Sequence, residues 1–518
     1  MNILYYGIAS KFTHSMPAGW FLCEYLASKG IETQEVYRNI NESYPSLLQD
    51  IIDRKPDILL LSVYVFNVNV VTKLIKDIRL QLDCKIVIGG PEADEYLGAD
   101  YVIFGEGELA LYNYIIGKEN DIQLIEPLDN IRSPYTDARL ASAKNKLIYY
   151  ESSRGCPFSC TYCTAPSSKV RYFSLPRVKQ DLINIVNSGV RTIKFTDRTF
   201  NLHPKRANEI LCFIKDNFSA NNTTFHFEIM GDILTPDTLE ILHSMPKGLV
   251  QLEIGVQSLN SNSLKAVARK LDLKKLEANI LPIIRAGNIH IHLDMIAGLP
   301  HETLATFTLG FDTLFAFRPQ VLQLGFLKVL KGTPIKDKFI GALYSPVAPY
   351  EIVSTPTMSS QDLEYLKNAE FALDKLYNSG AFLCSLEYLL TSSNSACAMF
   401  ATIGKYFQEK GINTCSQRPE FFNALLDFAS PCKERLKELL RLDFLCSDAG
   451  RKIPRPLRGS RCKAFYDYLD AHQTTNCFYE QFAYIPNNAK QGNYILQFDY
   501  SYKDPVSKRY SYKLVKTL

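Results

Sequence analysis

Short apolar runs alternate with amphipathic stretches along the first 115 residues of the chain. The run DILLLSVYVFN is almost continuously apolar, which is typical of a parallel strand covered on both faces. NILYYGIA, KIVIGG and DYVIFGEGE predict three further strands, and a helix is predicted from Pro17 to about Ser28, ending at Gly30. Alternating β and α elements of this size predict a doubly wound, Rossmann-like α/β sheet.

Glycines stand at or near the predicted ends of these strands, at Gly7, Gly89, Gly90, Gly105 and Gly107. Ligands of doubly wound sheets bind beyond the carboxyl ends of the strands, and a glycine lets the backbone approach a large ligand closely. The five positions together indicate a ligand-binding edge, although each glycine alone is also explained by an ordinary turn.

A second alternation begins at Lys146 and contains six strand-like runs: LIYYESS, TIKFTD, FHFEIM, LVQLEIGV, IHIHLDMIAG and VLQLGFLKVL. Helical segments separate these runs, and one of them is predicted to start at Thr235, with Pro236 in its first turn. Six βα units are too few for a closed eight-stranded barrel. They predict an open six-unit (β/α)6 barrel with its site at the carboxyl ends of the strands.

The remaining chain is predicted to be mostly helical, because QDLEYLKNAEFALDKLYNSG, QRPEFFNALLDFAS and CKERLKELLRLDFL have a helical period. The closing segment NYILQFDYSYKDPVSKRYSYKLVK alternates like an antiparallel hairpin. The predicted organisation is a Rossmann-like domain at 1–115, a polar linker at 116–145, the open barrel at 146–345, and a mostly helical domain with a small β tail at 346–518.

Composition narrows the class of protein. Hydrophobic residues make up 46% and charged residues 22% of the 518 positions, as in ordinary soluble globular proteins, and no apolar run approaches the ~20 residues of a membrane span. A net charge of +4 gives no reason to expect a nucleic-acid partner. Thirteen cysteines and an N-terminus without signal-like character predict reduced thiols and a cytoplasmic location.

Three cysteines lie in one short segment, Cys156, Cys160 and Cys163, with the spacing C-x3-C-x2-C. Thiolates are the usual ligands of iron–sulfur clusters, and a four-iron cluster normally takes four of them. Three ligands leave one iron open to a small molecule. A closed zinc site would need a fourth ligand, which the segment does not supply, and a disulfide does not suit a reducing compartment.

This segment, with Tyr162 just before the last cysteine, resembles the signature of the radical S-adenosylmethionine (SAM) enzymes, and the resemblance covers about residues 146–340. It implies a [4Fe-4S] cluster on the three cysteines, with SAM on the open iron and Tyr162 beside the cofactor. Reduction of the cluster would then cleave SAM to a 5′-deoxyadenosyl radical. An external reductant of the flavodoxin or ferredoxin type is implied as a partner.

The later strands are most similar to the subgroup that contains the coproporphyrinogen dehydrogenases and the anaerobic magnesium-protoporphyrin cyclases. By that resemblance, Glu228 and Asp294 bind the SAM ribose, Gln257 and Arg269 form a pair after the fourth strand, and Arg269 forks onto the SAM carboxylate. Each of these side chains alone is equally explained by an ordinary salt bridge at a strand end.

Two further parts of the SAM site follow from the same resemblance. The backbone of Ile296, Ala297 and Gly298 would lie along the adenine. The glycine-glycine-glutamate motif usual after the second strand is replaced here by FTDRTFN, so Thr196 and Asp197 are expected to accept from the SAM amine instead.

The front domain resembles the cobalamin-binding domain that precedes many radical SAM cores. The motif that places a histidine below cobalt, D-x-H-x-x-G, is absent, since Thr13 precedes His14 and Pro17 stands in place of the glycine. Cobalamin is therefore expected to bind without a histidine ligand, and His14 to be a loop residue. The alternative is a vestigial domain that only shapes the substrate cavity. The residues implied for cobalamin are Ser62, Gly89, Gly90, Glu92, Gly105, Glu106 and Gly107.

Together the resemblances imply a cobalamin-dependent radical SAM enzyme, most often a methyltransferase, that methylates an unactivated carbon of a small-molecule or peptide substrate. A cyclase or rearrangement enzyme similar to the magnesium-protoporphyrin cyclases is an alternative, and a non-catalytic cobalamin or SAM sensor is another. Transfer-RNA methylthiolation is disfavoured, because the front domains of those enzymes carry three cluster cysteines, whereas residues 1–115 contain only Cys23 and Cys84.

Overall fold

In the computed structural model, the apolar runs at the start of the chain form a five-stranded parallel sheet with the order β2-β1-β3-β4-β5. This confirms the doubly wound sheet predicted from the sequence. The structure describes residues 1–118, 124–165, 168–429, 433–449, 452–472, 477–486 and 490–518. The elements of this sheet domain are β1 (Ile3–Ala9), α1 (Pro17–Ser28), β2 (Gln34–Asn39), α2 (Tyr44–Arg54), β3 (Ile58–Ser62), α3 (Val68–Arg79), β4 (Lys85–Gly89), β5 (Tyr101–Ile103) and α4 (Gly107–Ile115).

Both faces of this sheet are buried, which explains the unbroken apolar runs. Tyr6 and Leu59 belong to the hydrophobic cluster on one face, and Tyr5 and Leu60 belong to the cluster on the other. Successive residues of a strand point to opposite faces, so a strand covered on both sides needs an apolar residue at every position. The edge strand β2 buries only Val36, and its sequence therefore gives no apolar run.

The central part of the chain forms a six-stranded sheet with the order β13-β12-β11-β10-β9-β6, as expected for the open barrel. The predicted helix start is confirmed, because the Thr235 hydroxyl accepts from the Thr238 amide at 3.3 Å. The elements are α5 (Asp137–Ser142), β6 (Ile148–Tyr150), β7 (Ser153–Arg154), β8 (Arg171–Tyr172), α6 (Leu175–Asn187), β9 (Thr192–Phe195), α7 (Pro204–Phe218), β10 (Thr224–Ile229), α8 (Pro236–His243), β11 (Val250–Gln257), α9 (Ser261–Ala266), α10 (Leu273–Ala286), β12 (His290–Ala297), α11 (Leu304–Ala316), β13 (Val321–Phe326) and α12 (Ile335–Lys338).

The last part of the chain is mostly helical and ends in a three-stranded antiparallel sheet with the order β16-β17-β18. The predicted hairpin is β17 with β18, and β16 adds one strand to it. The elements are β14 (Leu343–Tyr344), β15 (Ile352–Ser354), α13 (Ser360–Ala372), α14 (Leu383–Leu390), α15 (Ala396–Glu409), α16 (Arg418–Phe428), α17 (Lys433–Ser447), α18 (Lys463–His472), β16 (Cys477–Phe482), β17 (Tyr494–Lys503) and β18 (Tyr510–Thr517).

The chain divides into two compact units. The first contains Met1–Leu252, Val267–Leu276 and Leu327–Ile352, and the second contains Glu253–Ala266, Glu277–Phe326 and Val353–Leu518. The limits of these units do not coincide with the domain boundaries predicted at 115, 145 and 345, which stay predictions. Across the described ranges, no helix combines the length and the apolar character needed to cross a membrane.

A buried carboxylate organises the helical part of the second unit. Asp443 is fully buried and accepts from the backbone amides of Cys384 and Ser385, at 3.0 and 2.8 Å. Its other partner is the guanidinium of Arg509 at 2.8 Å. Because a buried charge is stable only when it is paired and hydrogen-bonded, this one residue of α17 fixes the start of α14 and the turn before β18.

Candidate active site

The three cysteines lie on a loop whose ends are held together by the short antiparallel pair β7 and β8. Gly155 opens this cysteine loop with φ of 102°, and a Cβ there would come within 2.7 Å of the Lys169 carbonyl oxygen. The position therefore requires glycine. Further along, the amide of Thr161 donates to the carbonyl of Val267 at 3.1 Å, which ties the middle of the loop to the segment before Arg269.

The thiols of this loop are half-buried and interact electrostatically. Burial raises the pKa of Cys156, and the neighbouring Cys163 and Cys160 raise it further. Three soft sulfur side chains on one loop fit a site that binds iron. Each thiolate of a four-iron cluster binds its own iron, and, within the ranges described, no three His, Cys, Asp or Glu side chains are placed to hold a single metal ion.

The structure brings one predicted SAM-binding residue to the cysteine loop. The Arg269 guanidinium lies 3.9 Å from the sulfur of Cys160. Tyr162 lies near Arg269 and Cys160. Burial raises the pKa of its phenol, and the charge of Arg269 lowers it. A guanidinium beside the cluster ligands is suitably placed to fork onto a carboxylate held at the open iron.

The predicted acceptors after β9 behave differently from each other. Thr196 lines the large cavity described below. Asp197 is 1% exposed, and its role toward SAM stays a prediction. Its two oxygens accept from the Ser152 amide at 2.9 Å, from the Ser152 hydroxyl at 2.7 Å and from the Ser153 hydroxyl at 2.5 Å. These bonds join Asp197, which follows β9, to Ser152 and Ser153 at the start of β7.

Glu228 on β10 is partly exposed and forms an ion pair with Lys194 on β9, with 3.4 Å between Nζ and Oε1. This is the strand-end salt bridge that the sequence left open as an alternative. The pair is exposed enough to rearrange, so the carboxylate stays available to a hydroxyl ligand.

The other predicted SAM residues lie in the second unit. Gln257 ends β11 with φ of 72°, a left-handed conformation that costs a non-glycine residue about 1 kcal/mol or more and is concentrated at functional sites. On β12, Asp294 and Ile296 share the half-buried face of the strand, and Gly298 follows the strand end. The backbone at Ile296, Ala297 and Gly298 thus forms one continuous strand edge and turn.

Sequence reasoning missed a buried carboxyl next to these residues. Glu302 is 1% exposed and accepts from the Ser258 hydroxyl at 2.5 Å. Burial raises the pKa of Glu302 to about 7. Ser258 directly follows Gln257, so the Glu302 carboxyl supports the strained turn at the end of β11. The sequence signal for Glu302 was the motif GLPHET after β12, which places an acidic residue shortly after the end of a strand.

A cavity of about 830 Å³ opens at the carboxyl edge of the front sheet, within the first unit. The residues predicted for cobalamin that line it are Ser62, Gly89, Gly90, Gly105, Glu106 and Gly107. Its other walls include Gly155 and Thr164 of the cysteine loop. One cavity therefore touches both predicted cofactor sites, and no histidine is among its described lining residues.

Gly90 is the most constrained of these lining residues. Its φ is 111°, and a Cβ at this position would lie 2.6 Å from the Val63 carbonyl oxygen. Ser62, at the end of β3, is held by a hydrogen bond of 2.9 Å with the Tyr5 hydroxyl. The edge is thus built from backbone and small side chains, which lets a broad ligand approach the strand ends.

Three front-domain residues considered in the sequence analysis are not among the described lining residues of this cavity: Glu92, Gly7 and His14. The Glu92 carboxylate is buried and accepts from the Tyr350 hydroxyl at 2.9 Å, and its cofactor role stays a prediction. Gly7 lies inside β1 and packs against Met16, so it is not at a strand end. His14 is a loop residue, as predicted, and its ring lies 3.2 Å from the Tyr149 hydroxyl.

Three family models match separate parts of the chain. The B12 binding domain matches residues 6–115, the Radical SAM superfamily matches residues 150–308, and a protein of unknown function (DUF4080) matches residues 338–509. The chain combines a B12-binding domain with a radical SAM domain. Both resemblances predicted from the sequence are thereby confirmed.

Relatives of this B12-binding-domain radical SAM protein include the cobalamin-dependent radical SAM methyltransferase TokK of Streptomyces tokunonensis. The two are 24% identical over 401 residues, which is 65% of this chain and 57% of TokK. The chain spans about half the length of the curated relatives it matches.

Two solved structures share the fold. TsrM of Kitasatospora setae, a radical SAM methyltransferase solved with cobalamin and a [4Fe-4S] cluster, superposes with a TM-score of 0.55 at 15% identity, covering 69% of this chain and 79% of TsrM. The cobalamin-dependent radical SAM enzyme OxsB, with aqua-cobalamin bound, gives 0.57 at 13% identity, covering 85% and 80%. The predicted α/β architecture is confirmed.

Proposed function

We propose that this chain is a cobalamin-dependent radical SAM methyltransferase. One observation carries the proposal: a single cavity of about 830 Å³ is lined by the carboxyl edge of the B12-binding sheet and by residues of the cysteine loop. A methyl donor and a radical generator must face the same substrate carbon, and one shared cavity meets that need. Its volume lies in the upper part of the range for ligand sites.

The proposed cluster ligands are Cys156, Cys160 and Cys163. The other cofactor contacts form two sets. By the resemblance, SAM is assigned to Arg269, Glu228, Gln257 and Asp294 and to the backbone of Ile296, Ala297 and Gly298. Cobalamin is assigned to Ser62, Gly89, Gly90, Gly105, Glu106 and Gly107. When bound, these cofactors supply radical formation and methyl donation, while the chain orients them and excludes water.

The donor set fits these groups. The cysteine sulfurs are soft ligands suited to iron, and the Arg269 guanidinium near Cys160 supplies the planar fork that a carboxylate requires. The cobalamin edge offers backbone and small side chains at Ser62, Gly89 and Gly90, which suit a broad ligand. All twelve cysteines in the described ranges are free thiols, which supports a reducing compartment such as the cytoplasm.

A small-molecule substrate is proposed because TsrM has been solved with tryptophan as its substrate and a SAM analog, and because the cavity volume of about 830 Å³ suits a small molecule beside the cofactors. An external flavodoxin- or ferredoxin-type reductant is proposed as the electron source. We also propose the domain boundaries at 115, 145 and 345.

The proposal is tested by purifying the full chain without oxygen after supplying iron, sulfide and hydroxocobalamin. We expect a corrinoid absorbance that stays with the protein through gel filtration, and an EPR spectrum of the reduced cluster that changes when SAM is added. Loss of all corrinoid would support the vestigial-domain alternative. An EPR spectrum unchanged by SAM would contradict the open iron.

Cys160→Ala tests the ligand assignment. This variant should lose the four-iron cluster and all formation of 5′-deoxyadenosine, because two thiolates do not hold the cubane. The matched control is Cys212→Ala, which removes a half-buried thiol of α7 outside the loop and should keep both. Persistent 5′-deoxyadenosine in the Cys160 variant would refute the assignment.

A further inference from the structure

A buried charge cluster stands between the cobalamin edge and the cysteine loop. Arg154 lies on β7, two residues before Cys156, and its side chain is 11% exposed. Its three guanidinium nitrogens reach three carboxylates: Nη1 is 3.1 Å from Glu106, Nη2 is 2.6 Å from Glu108, and Nε is 2.8 Å from Glu151. The guanidinium thus uses its whole fork.

Two of these carboxylates belong to the cobalamin edge. Glu106 and Glu108 lie in the GEGE segment (residues 105–108), between β5 and the first turn of α4. Glu106 also forms an ion pair with Arg171 on β8. Arg154 and Arg171 are direct partners across the β7–β8 pair, so both strands that close the cysteine loop are tied to the same carboxylate.

This arrangement couples the positions of the two segments. Like charges opposite each other on paired strands repel, and Glu106 compensates that repulsion between Arg154 and Arg171. A buried ion pair that loses one partner leaves an uncompensated charge, which is strongly unfavourable. A displacement of the GEGE segment therefore displaces β7 and β8 with it.

The backbone of the GEGE segment supplies little rigidity of its own. Gly105 has φ of 88° with no atom near its missing Cβ, and the preceding Phe104 side chain is 56% exposed. The arginine pairs restrain this segment through Glu106 and Glu108, and Gly107 packs against Leu22. A ligand that orders this segment also restricts β7 and β8, which close the cysteine loop. The loop then loses less conformational entropy when it binds the cluster.

We propose that Arg154 is a positioning residue that links cobalamin binding to the cysteine loop, so that occupancy of either cofactor site tightens the other. The inference rests on the proposed function. Because such coupling is reciprocal, it is measurable from the corrinoid side alone. It makes the corrinoid site and the radical-generating site assemble together.

The test measures the dissociation constant of hydroxocobalamin for the full chain by equilibrium dialysis and absorbance, with the cluster reconstituted and after its removal by chelation. For the unchanged protein we expect about 5-fold tighter binding, or more, when the cluster is present. In Arg154→Met the two constants should become equal. Glu108→Gln, which keeps the shape of the side chain, should reduce the ratio and serves if the arginine variant does not fold.

The matched control is Arg177→Met. Arg177 on α6 is similarly buried and pairs with Asp181 at 2.8 Å and the Ile131 carbonyl at 2.9 Å, but it touches neither segment, so the ratio should be kept. Equal constants in the unchanged protein would overturn the coupling and leave the proposed function standing. No corrinoid binding in either state would overturn the proposed function itself. A full ratio in folded Arg154→Met would refute the role of Arg154.

Discussion

Gly90 holds a backbone conformation that other residues adopt only under strain, at the edge proposed to bind cobalamin. Gly90→Ala adds a methyl group 2.6 Å from the Val63 carbonyl at φ of 111°. We expect the free energy of unfolding to fall by about 2 kcal/mol and the affinity for hydroxocobalamin to fall as the edge shifts. Urea unfolding and absorbance titration measure the two effects.

Gly89→Ala is the control for this substitution. It is the adjacent glycine in the same cavity wall, but its Cβ would meet Ile103 at an ordinary 3.5 Å. Its unfolding free energy should stay close to that of the unchanged chain. Equal losses in the two variants would mean that the wall tolerates no added methyl group anywhere, and that the conformation of Gly90 is not the cause.

Glu302 gives a pH dependence of known sign. Its folded-state pKa is about 7 against an ordinary 4.5, so between these values the folded chain keeps a proton that the unfolded chain has released. The contribution of Glu302 to stability is therefore fully kept below about pH 4.5 and falls as pH rises to about 7, by roughly 3 kcal/mol in total.

Glu302→Gln removes that titration while keeping an oxygen that can accept from Ser258. From about pH 4.5 to about pH 7, the unfolding free energy of the glutamine variant should increase relative to that of the unchanged chain by roughly 3 kcal/mol. Urea titrations at several pH values give the two profiles. Parallel profiles would contradict the raised pKa.

At the scale of elements, Asp443 joins α14, α17 and the turn before β18 through four hydrogen bonds to Cys384, Ser385 and Arg509. Asp443→Asn leaves the Arg509 charge buried without its counter-ion. We expect a loss of about 3 kcal/mol in unfolding free energy, measured by urea denaturation followed by circular dichroism.

Asp374→Asn is the control, because its ion pair with Lys375 is half exposed and should contribute no more than about 0.5 kcal/mol. A loss in Asp443→Asn as small as in this control would show that the second unit does not depend on the Asp443 cluster.

Elements were predictable where burial was simple. β1 and β3 are buried on both faces, so their apolar runs identify them without further information. α15 buries eight of its fourteen residues, and its exposed face is short, with Thr402, Lys405, Gln408 and Glu409. β2 is hidden, since it buries a single side chain. A strand that buries almost none of its side chains therefore leaves no apolar pattern to predict it from.

The site was predictable only in part, for a reason that lies in the whole molecule. The cysteines follow from their spacing, and Arg269 does lie beside Cys160. Asp197 and Glu92 were predicted to bind ligands, and the fold adds protein partners that are distant in sequence, Ser152 and Tyr350. The Arg154 cluster was missed for the same reason, because two of its three carboxylates, Glu106 and Glu108, lie almost 50 residues earlier in the sequence. Sequence shows which groups can bind a ligand, and only the fold shows which are already occupied.

At the scale of the whole molecule, the central claim is that one cavity serves both methyl donation and radical formation. The most direct measurement supplies the full chain, loaded with cluster and hydroxocobalamin, with SAM and a reductant in the absence of oxygen, and quantifies two products by mass spectrometry. We predict both S-adenosylhomocysteine and 5′-deoxyadenosine, with S-adenosylhomocysteine formed only when the corrinoid is present. Formation of 5′-deoxyadenosine without any S-adenosylhomocysteine would contradict methyl transfer.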